Sequence, residues 1–181
     1  MRIILGIDPG SRVTGYGVIE SIRGRQRYVA SGNIRLPNSS LSARLEVLYQ
    51  NLQGLIAEYT PASVGVEQVF VGKSAGSALK LGHARGIALL VPQLAKIPIY
   101  EYSARTVKQA VTGTGAADKE QVQSMVVRLL SLHSKPSSDA ADALAVALCH
   151  SYSVKLHTQI NQIKTVPEKA GLQQKIEQVS S

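Results

Sequence analysis

The chain has 181 residues, with 20 Lys+Arg against 12 Asp+Glu, one cysteine, one phenylalanine and no tryptophan. That length favours a single domain with a normal core, and an apolar fraction of 44% excludes a disordered or collagen-like chain. The lone Cys149 excludes an internal disulfide and a thiolate-rich zinc site, while a formal charge of +8 suits an anionic polymer such as nucleic acid. The longest apolar stretch, around Ile87–Val91, is too short to cross a bilayer. Ile3–Ile7 is likewise too short for a signal-peptide core, so a cytoplasmic protein is expected.

In chain order, Ile3–Asp8 is apolar up to its last residue, as a buried central strand would be. Pro9-Gly10-Ser11 turns the chain, and Thr14–Glu20 and Arg27–Leu36 follow as strands joined through the polar segment Ser21–Gln26. After the loop Pro37-Asn38-Ser39-Ser40, the apolar period becomes helical through Leu45, Leu48, Tyr49, Leu52, Leu55, Ile56 and Tyr59, and Pro61 ends it. Ser63–Phe70 returns to a strand pattern, Ser74–Leu94 to a helix, and Ile97–Tyr102 makes a fifth strand. Three more helices are predicted over Ala104–Val111, Lys119–Leu132 and Ser138–Tyr152. This order predicts an α/β fold with a five-stranded mixed sheet flanked by helices. Residues 153–181 change composition towards glutamine and lysine and read as a polar tail outside a domain of residues 1–152.

Several familiar motifs fail. Gly72-Lys73-Ser74 resembles the end of a phosphate-binding loop, but Glu67 stands where its first glycine belongs. Gly15-x-Gly17 and Gly113-x-Gly115 both lack the third glycine of a dinucleotide fingerprint. The histidines at 83, 133, 150 and 157 form no HExxH pair, and no G-x-S-x-G elbow exists. The chemistry narrows to carboxylates.

Asp8 closes an apolar run, and Glu67 sits inside the apolar run Val64-Gly65-Val66-Glu67-Gln68-Val69. Asp139 and Asp142, three apart at the start of an apolar helix, share one face. Taken singly, each has an ordinary explanation: a strand-end acid at a turn, a helix cap, or, for Glu67, a buried ion pair with an arginine. Taken together, they suggest a site for hard divalent cations, Mg²⁺ or Mn²⁺. Two such ions ~3.5–4 Å apart activate water and stabilise the leaving oxygen in a phosphoryl displacement.

The run Ile3-Ile4-Leu5-Gly6-Ile7-Asp8-Pro9-Gly10-Ser11-Arg12-Val13-Thr14-Gly15-Tyr16-Gly17 resembles the opening of the RuvC family of bacterial Holliday junction resolvases. The resemblance continues through Glu67-Gln68-Val69-Phe70, Ser77-Ala78-Leu79-Lys80-Leu81-Gly82, Glu101-Tyr102-x-Ala104-Arg105 and Asp139-Ala140-Ala141-Asp142-Ala143-Leu144-Ala145, in order, over about residues 1–150. It implies a ribonuclease H-like fold, a homodimer, and Mg²⁺-dependent cutting of four-way DNA junctions in recombination and repair. Asp8, Glu67, Asp139 and Asp142 fall on the family's four catalytic acids. Lys108 and Lys119 match lysines that support DNA binding and cleavage, and Phe70 matches an aromatic residue that stacks on a base near the junction centre. The family also implies a thymine-rich cleavage sequence, 5′-phosphate and 3′-hydroxyl ends, and the branch-migration proteins RuvA and RuvB as partners.

Read on their own, Lys108 and Lys119 are also two solvated lysines around the glycine-rich turn Thr112–Gly115, and Phe70 is also a core phenylalanine. The expectation is a structure-selective DNA endonuclease: Asp8, Glu67 and Asp139 hold Mg²⁺, and Asp142 beside them is a ligand or orients water. Attack is in line, without a covalent intermediate. The helix Ser74–Leu94 carries Ala75, Ala78, Leu79, Gly82 and Gly86 on a small-residue face, either a dimer interface or a packing face within the monomer. Two rivals stand beside this. Asp8-x-Gly10 also occurs in actin-like ATPases and sugar kinases, which need a second similar half that 181 residues without a repeat do not hold. A junction-binding module without catalysis would gain nothing from four acids.

Overall fold

Alternation along three strands decides which side of the sheet each residue serves. The computed structural model describes residues 1–68 and 75–164 and contains strands β1 (Arg2–Asp8), β2 (Val13–Ile22), β3 (Arg25–Arg35), β4 (Ser63–Glu67) and β5 (Ile99–Tyr102). Helices are α1 (Leu41–Tyr59), α2 (Ala75–Leu94), α3 (Ala104–Thr112), α4 (Lys119–Leu129) and α5 (Ser138–Lys164). The sheet order is β3-β2-β1-β4-β5, with β2 antiparallel to both β1 and β3, and β4 parallel to both β1 and β5. The predicted five-stranded mixed sheet is therefore present.

Leu5, Ile7, Val18, Val64 and Val66 pack on one side against Leu48, Leu52 and Leu55 of α1 and Ala84, Ala88 and Val91 of α2. Ile4 and Ile19 point the other way, towards Leu144 and Leu148 of α5, Val107 of α3 and Val126 of α4. The result is three layers with the sheet in the middle. Because side chains alternate, Gly6 and Asp8 share the α5 side with Ile4, and Gly65 and Glu67 take the same side of β4.

Glycines bring α5 close to the sheet. Gly17, Gly6 and Gly65 lie side by side across β2, β1 and β4. A Cβ on Gly6 would sit 2.2 Å from the Ala143 carbonyl oxygen, and one on Gly17 2.7 Å from the Leu144 nitrogen. The pair Gly15-x-Gly17, tested above as a nucleotide motif, is thus a groove for helix backbone. At the far end, fully buried His150 is held at both ring nitrogens: Nδ1 lies 2.7 Å from the Tyr102 hydroxyl and Nε2 2.8 Å from Ser63 Oγ. The Tyr100 ring lies against it, centroids 4.6 Å apart. Burial lowers the His150 pKa to about 4, so the ring is neutral.

Several boundaries differ from expectation, each for a local reason. β2 and β3 run nearly to each other, joined only by Arg23 and Gly24, both at positive φ (48° and 84°), the geometry of a two-residue hairpin turn. α1 starts earlier, at Leu41, because the Ser40 hydroxyl caps it by accepting from the Ala43 N–H. β5 starts at Ile99, after Pro98, and α4 stops at Leu129, ahead of Ser131 at φ 50°. β4 ends at Glu67, and the rest of the strand predicted to Phe70 lies outside the described residues. α5 passes Tyr152 without a break and reaches Lys164, so the expected domain edge at residue 152 is not an element boundary. No helix among the described residues is long and apolar enough to cross a membrane.

Candidate active site

β1 and β4 are parallel neighbours with Ile7 opposite Val66, so Asp8 and Glu67 finish adjacent strands at the same edge and on the same face. α5 begins over that edge. Asp8 pairs with Gly15 across β1 and β2, and the Asp139 carbonyl lies so close over Gly15 that a Cβ there would be 2.0 Å away. Ser137, just before α5, donates from its hydroxyl to Asn33 Oδ1 of β3 at 2.9 Å and fixes the helix start laterally. Asp139 is the second residue of α5, inside the helix, and Asp142 follows one turn later. The four predicted acids are thereby brought together by two strand ends and one helix.

Their electrostatics agree. Burial, followed by the charges of Glu67, Asp142 and Asp139, pushes Asp8 up to about 8. Burial and then Asp142 push Glu67 up to about 7, with Lys119 and Lys108 pulling against the rise. Asp142 is also raised, chiefly by burial. No arginine pairs with Glu67 among the described residues, so the buried ion pair that could have explained it is missing. The acids feel one another through their fields, yet among the described residues no three His, Cys, Asp or Glu side chains are drawn into a ready-made metal cage. Clustered hard oxygen donors that resist ionisation fit a divalent cation of the Mg²⁺ class, which would relieve their repulsion.

Two lysines attend the acids. Lys119, first residue of α4, stands with its Nζ 3.7 Å from Asp142 Oδ2. α4 is placed by a capping box, in which Asp118 accepts from the Gln121 N–H while Gln121 Oε1 accepts from the Asp118 N–H. Lys108, on α3, is close enough for Glu67 and Asp142 to feel its charge. Phe70 lies outside the described residues. Sequence reading missed Gly15, whose signal was a glycine two residues from another inside a β-branched strand. It also gave Arg105 no task, although it lines the same cleft as Lys108.

This strand order, with acids ending two adjacent inner strands and a second pair on the helix that crosses them, defines a ribonuclease H-like nuclease. The family model RuvC, crossover junction endodeoxyribonuclease, matches residues 4–150, and the chain belongs to that family. It is 55% identical over 171 residues to the crossover junction endodeoxyribonuclease RuvC of Tolumonas auensis, spanning 94% of this chain and 96% of that one. Its counterpart in Photobacterium profundum is 52% identical over 155 residues, 86% of this chain and 90% of that one. Among solved structures, Thermus thermophilus RuvC in complex with a Holliday junction substrate superposes with a TM-score of 0.81 at 32% identity, covering 87% of this chain and 98% of that one. The yeast mitochondrial Holliday junction resolvase Ydc2 shares the fold, with a TM-score of 0.65 at 13% identity, covering 89% of this chain and 84% of that one.

Proposed function

We propose that the protein resolves four-way DNA junctions in recombination and repair by paired, symmetric phosphodiester hydrolysis. The convergence of Asp8, Glu67, Asp139 and Asp142 at one sheet edge supports this reading most directly. In it, Asp8, Glu67 and Asp139 hold Mg²⁺, for which Mn²⁺ substitutes, at two ions per site, and Asp142 is a further ligand or orients water. When bound, the ions supply charge for the attacking and leaving oxygens of an in-line displacement. Lys119 limits the repulsion at Asp142 and, with Lys108, offers positive charge to the DNA backbone. Burial of Asp8 and Glu67 excludes water that would screen those charges. The product ends are a 5′-phosphate and a 3′-hydroxyl.

Paired nicks need two sites related by a two-fold axis, hence a homodimer. The outer face of α2 supports this. Leu79, Leu90 and Leu94 are 65%, 46% and 59% exposed, and a Cβ on Gly82 or Gly86 would meet nothing within 4 Å among the described residues. Each mid-helix glycine costs about 1 kcal/mol against alanine, and no contact among the described residues requires it. Close approach of a second α2 would.

The nuclease unit is assigned to residues 1–152, because the fully buried run of α5 ends at Ser151. A cytoplasmic location and work alongside RuvA and RuvB complete the reading. The deciding experiment compares cleavage of a synthetic four-way junction with that of linear duplex, with and without Mg²⁺. Symmetric nicks confined to the junction and to Mg²⁺ are expected; equal cutting of duplex, or cutting in EDTA, would sink the reading.

A further inference from the structure

Arg105 belongs to the stretch Glu101–Arg105, in which Glu101, Tyr102 and Ser103 have tasks within the fold. Glu101 pairs with Arg85 of α2, Tyr102 holds His150, and Ser103 caps α3 by accepting from the Thr106 N–H at 3.1 Å. Arg105 is exposed and has no acidic partner among the described residues. It lines an open cleft of about 440 Å³ with Ala104, Lys108, Thr114, Gly115 and Ala116. Among the described residues no acid lines this cleft.

The cleft is built to hold its shape. The Thr112 hydroxyl lies 2.9 Å from both the Lys108 and Thr114 carbonyl oxygens, and the Ala116 N–H donates to Thr114 Oγ1 at 3.3 Å. Thr114 therefore accepts within the loop, and its own hydroxyl proton has no acceptor among the described residues. Gly115 makes room for the arginine stem: a Cβ there would be 2.6 Å from Arg105 Cγ and 3.2 Å from its Nε. Lys108 lies one helical turn beyond Arg105, on the side that the acids feel.

We propose that this cleft is a second anion subsite, in which the Arg105 guanidinium and Thr114 hydroxyl take a backbone phosphate of the DNA strand away from the phosphate being cut. Two cations, a free hydroxyl donor and an open shape suit a passing polyanion better than an enclosed small molecule. The separation along α3 divides the labour: Lys108 serves the acids' end, and Arg105 fixes the strand's approach. This subsite rests on the junction-nuclease reading.

The test is junction affinity of the full chain without divalent ions, measured between 50 and 200 mM salt. Losing one phosphate contact should reduce the slope of log K against log salt by ~0.9 in Arg105→Gln, so that the fourfold rise in salt costs that variant about 3-fold less affinity than wild type. Arg105→Lys should keep the wild-type slope. Gly115→Ala, which displaces Arg105 without removing its charge, should weaken binding, and the double variant Arg105→Gln/Gly115→Ala should be no weaker than Arg105→Gln alone. A wild-type slope in Arg105→Gln, or full additivity of the two losses, overturns the subsite while leaving the nuclease reading intact. Failure of the wild-type chain to bind the junction at all overturns both.

Discussion

The Asp139 carbonyl sits over Gly15, 2.0 Å from where a Cβ would be. Since Gly15 is the cross-strand partner of Asp8, this contact joins the helix-borne acids to the strand-borne ones. Gly15→Ala should lift the start of α5, cutting junction cleavage by at least 10-fold and lowering the melting temperature. Gly54→Ala, in open space on α1, is the control, expected to gain up to about 1 kcal/mol. Undiminished cleavage by Gly15→Ala would mean the helix start does not set the site.

Asp8→Asn keeps the shape of the side chain and removes its charge. Junction affinity should persist while nicking falls by on the order of 10²–10³-fold or more, the scale on which lost charge stabilisation is felt. Gel-shift and cleavage assays on one labelled junction separate the two quantities. Persistent nicking would refute the acid-centred mechanism.

In EDTA the acids make stability depend on pH in a definite direction. Asp8, at about 8 when folded against 3.8, and Glu67, at about 7 against 4.5, hold protons that the unfolded chain has released. Stability from these groups therefore falls as pH rises through that range. His150 works oppositely, at about 4 when folded against 6.5, so its contribution is present above pH 6.5 and is lost as pH falls towards 4. Between pH 6.5 and 8, of these groups, the carboxylates set the slope. The melting temperature should drop across that window and the drop should flatten in Asp8→Asn; a level or rising wild-type profile contradicts the cluster.

The buried clamp on His150 predicts coupled losses. Tyr102→Phe leaves Nδ1 without its partner, costing about 1–3 kcal/mol, as does any buried polar group deprived of its bond. Once His150→Leu has been made, Tyr102→Phe should cost much less, which a double-mutant cycle by urea unfolding would measure. Strict additivity would show that the 2.7 Å contact carries no coupling.

Leu90→Glu places a charge on the exposed face of α2, beside Gly86. Sedimentation should shift from dimer to monomer, and single nicks should replace paired ones. A monomeric wild-type chain, with and without junction, would remove the paired-nick mechanism.

Much of the site was legible in sequence because a carboxylate inside an apolar run is costly to bury without a purpose. Asp8 and Glu67 stand out on that ground, and Asp139 and Asp142 by their three-residue spacing on an apolar helix. Gly15 and Gly17 were visible as glycines in a strand, but a missing side chain does not say what fills its space. Arg105 was visible only as one arginine among many basic residues, since charge composition carries no location. The β2–β3 hairpin closed more tightly than polarity suggested, because Arg23 adopts a positive φ that residue type alone does not announce.

Local patterning by itself thus determined the element order and the central buried strand and singled out the four acids as candidates, because period and hydrophobicity are properties of neighbours in the chain. Tertiary structure alone decided that Asp8 and Glu67 share a face, that α5 settles into a glycine groove to complete the cluster, and that Arg105 opens onto a cleft beside it. Those facts depend on strand register and on the close approach of backbones distant in sequence, and no window of consecutive residues contains them.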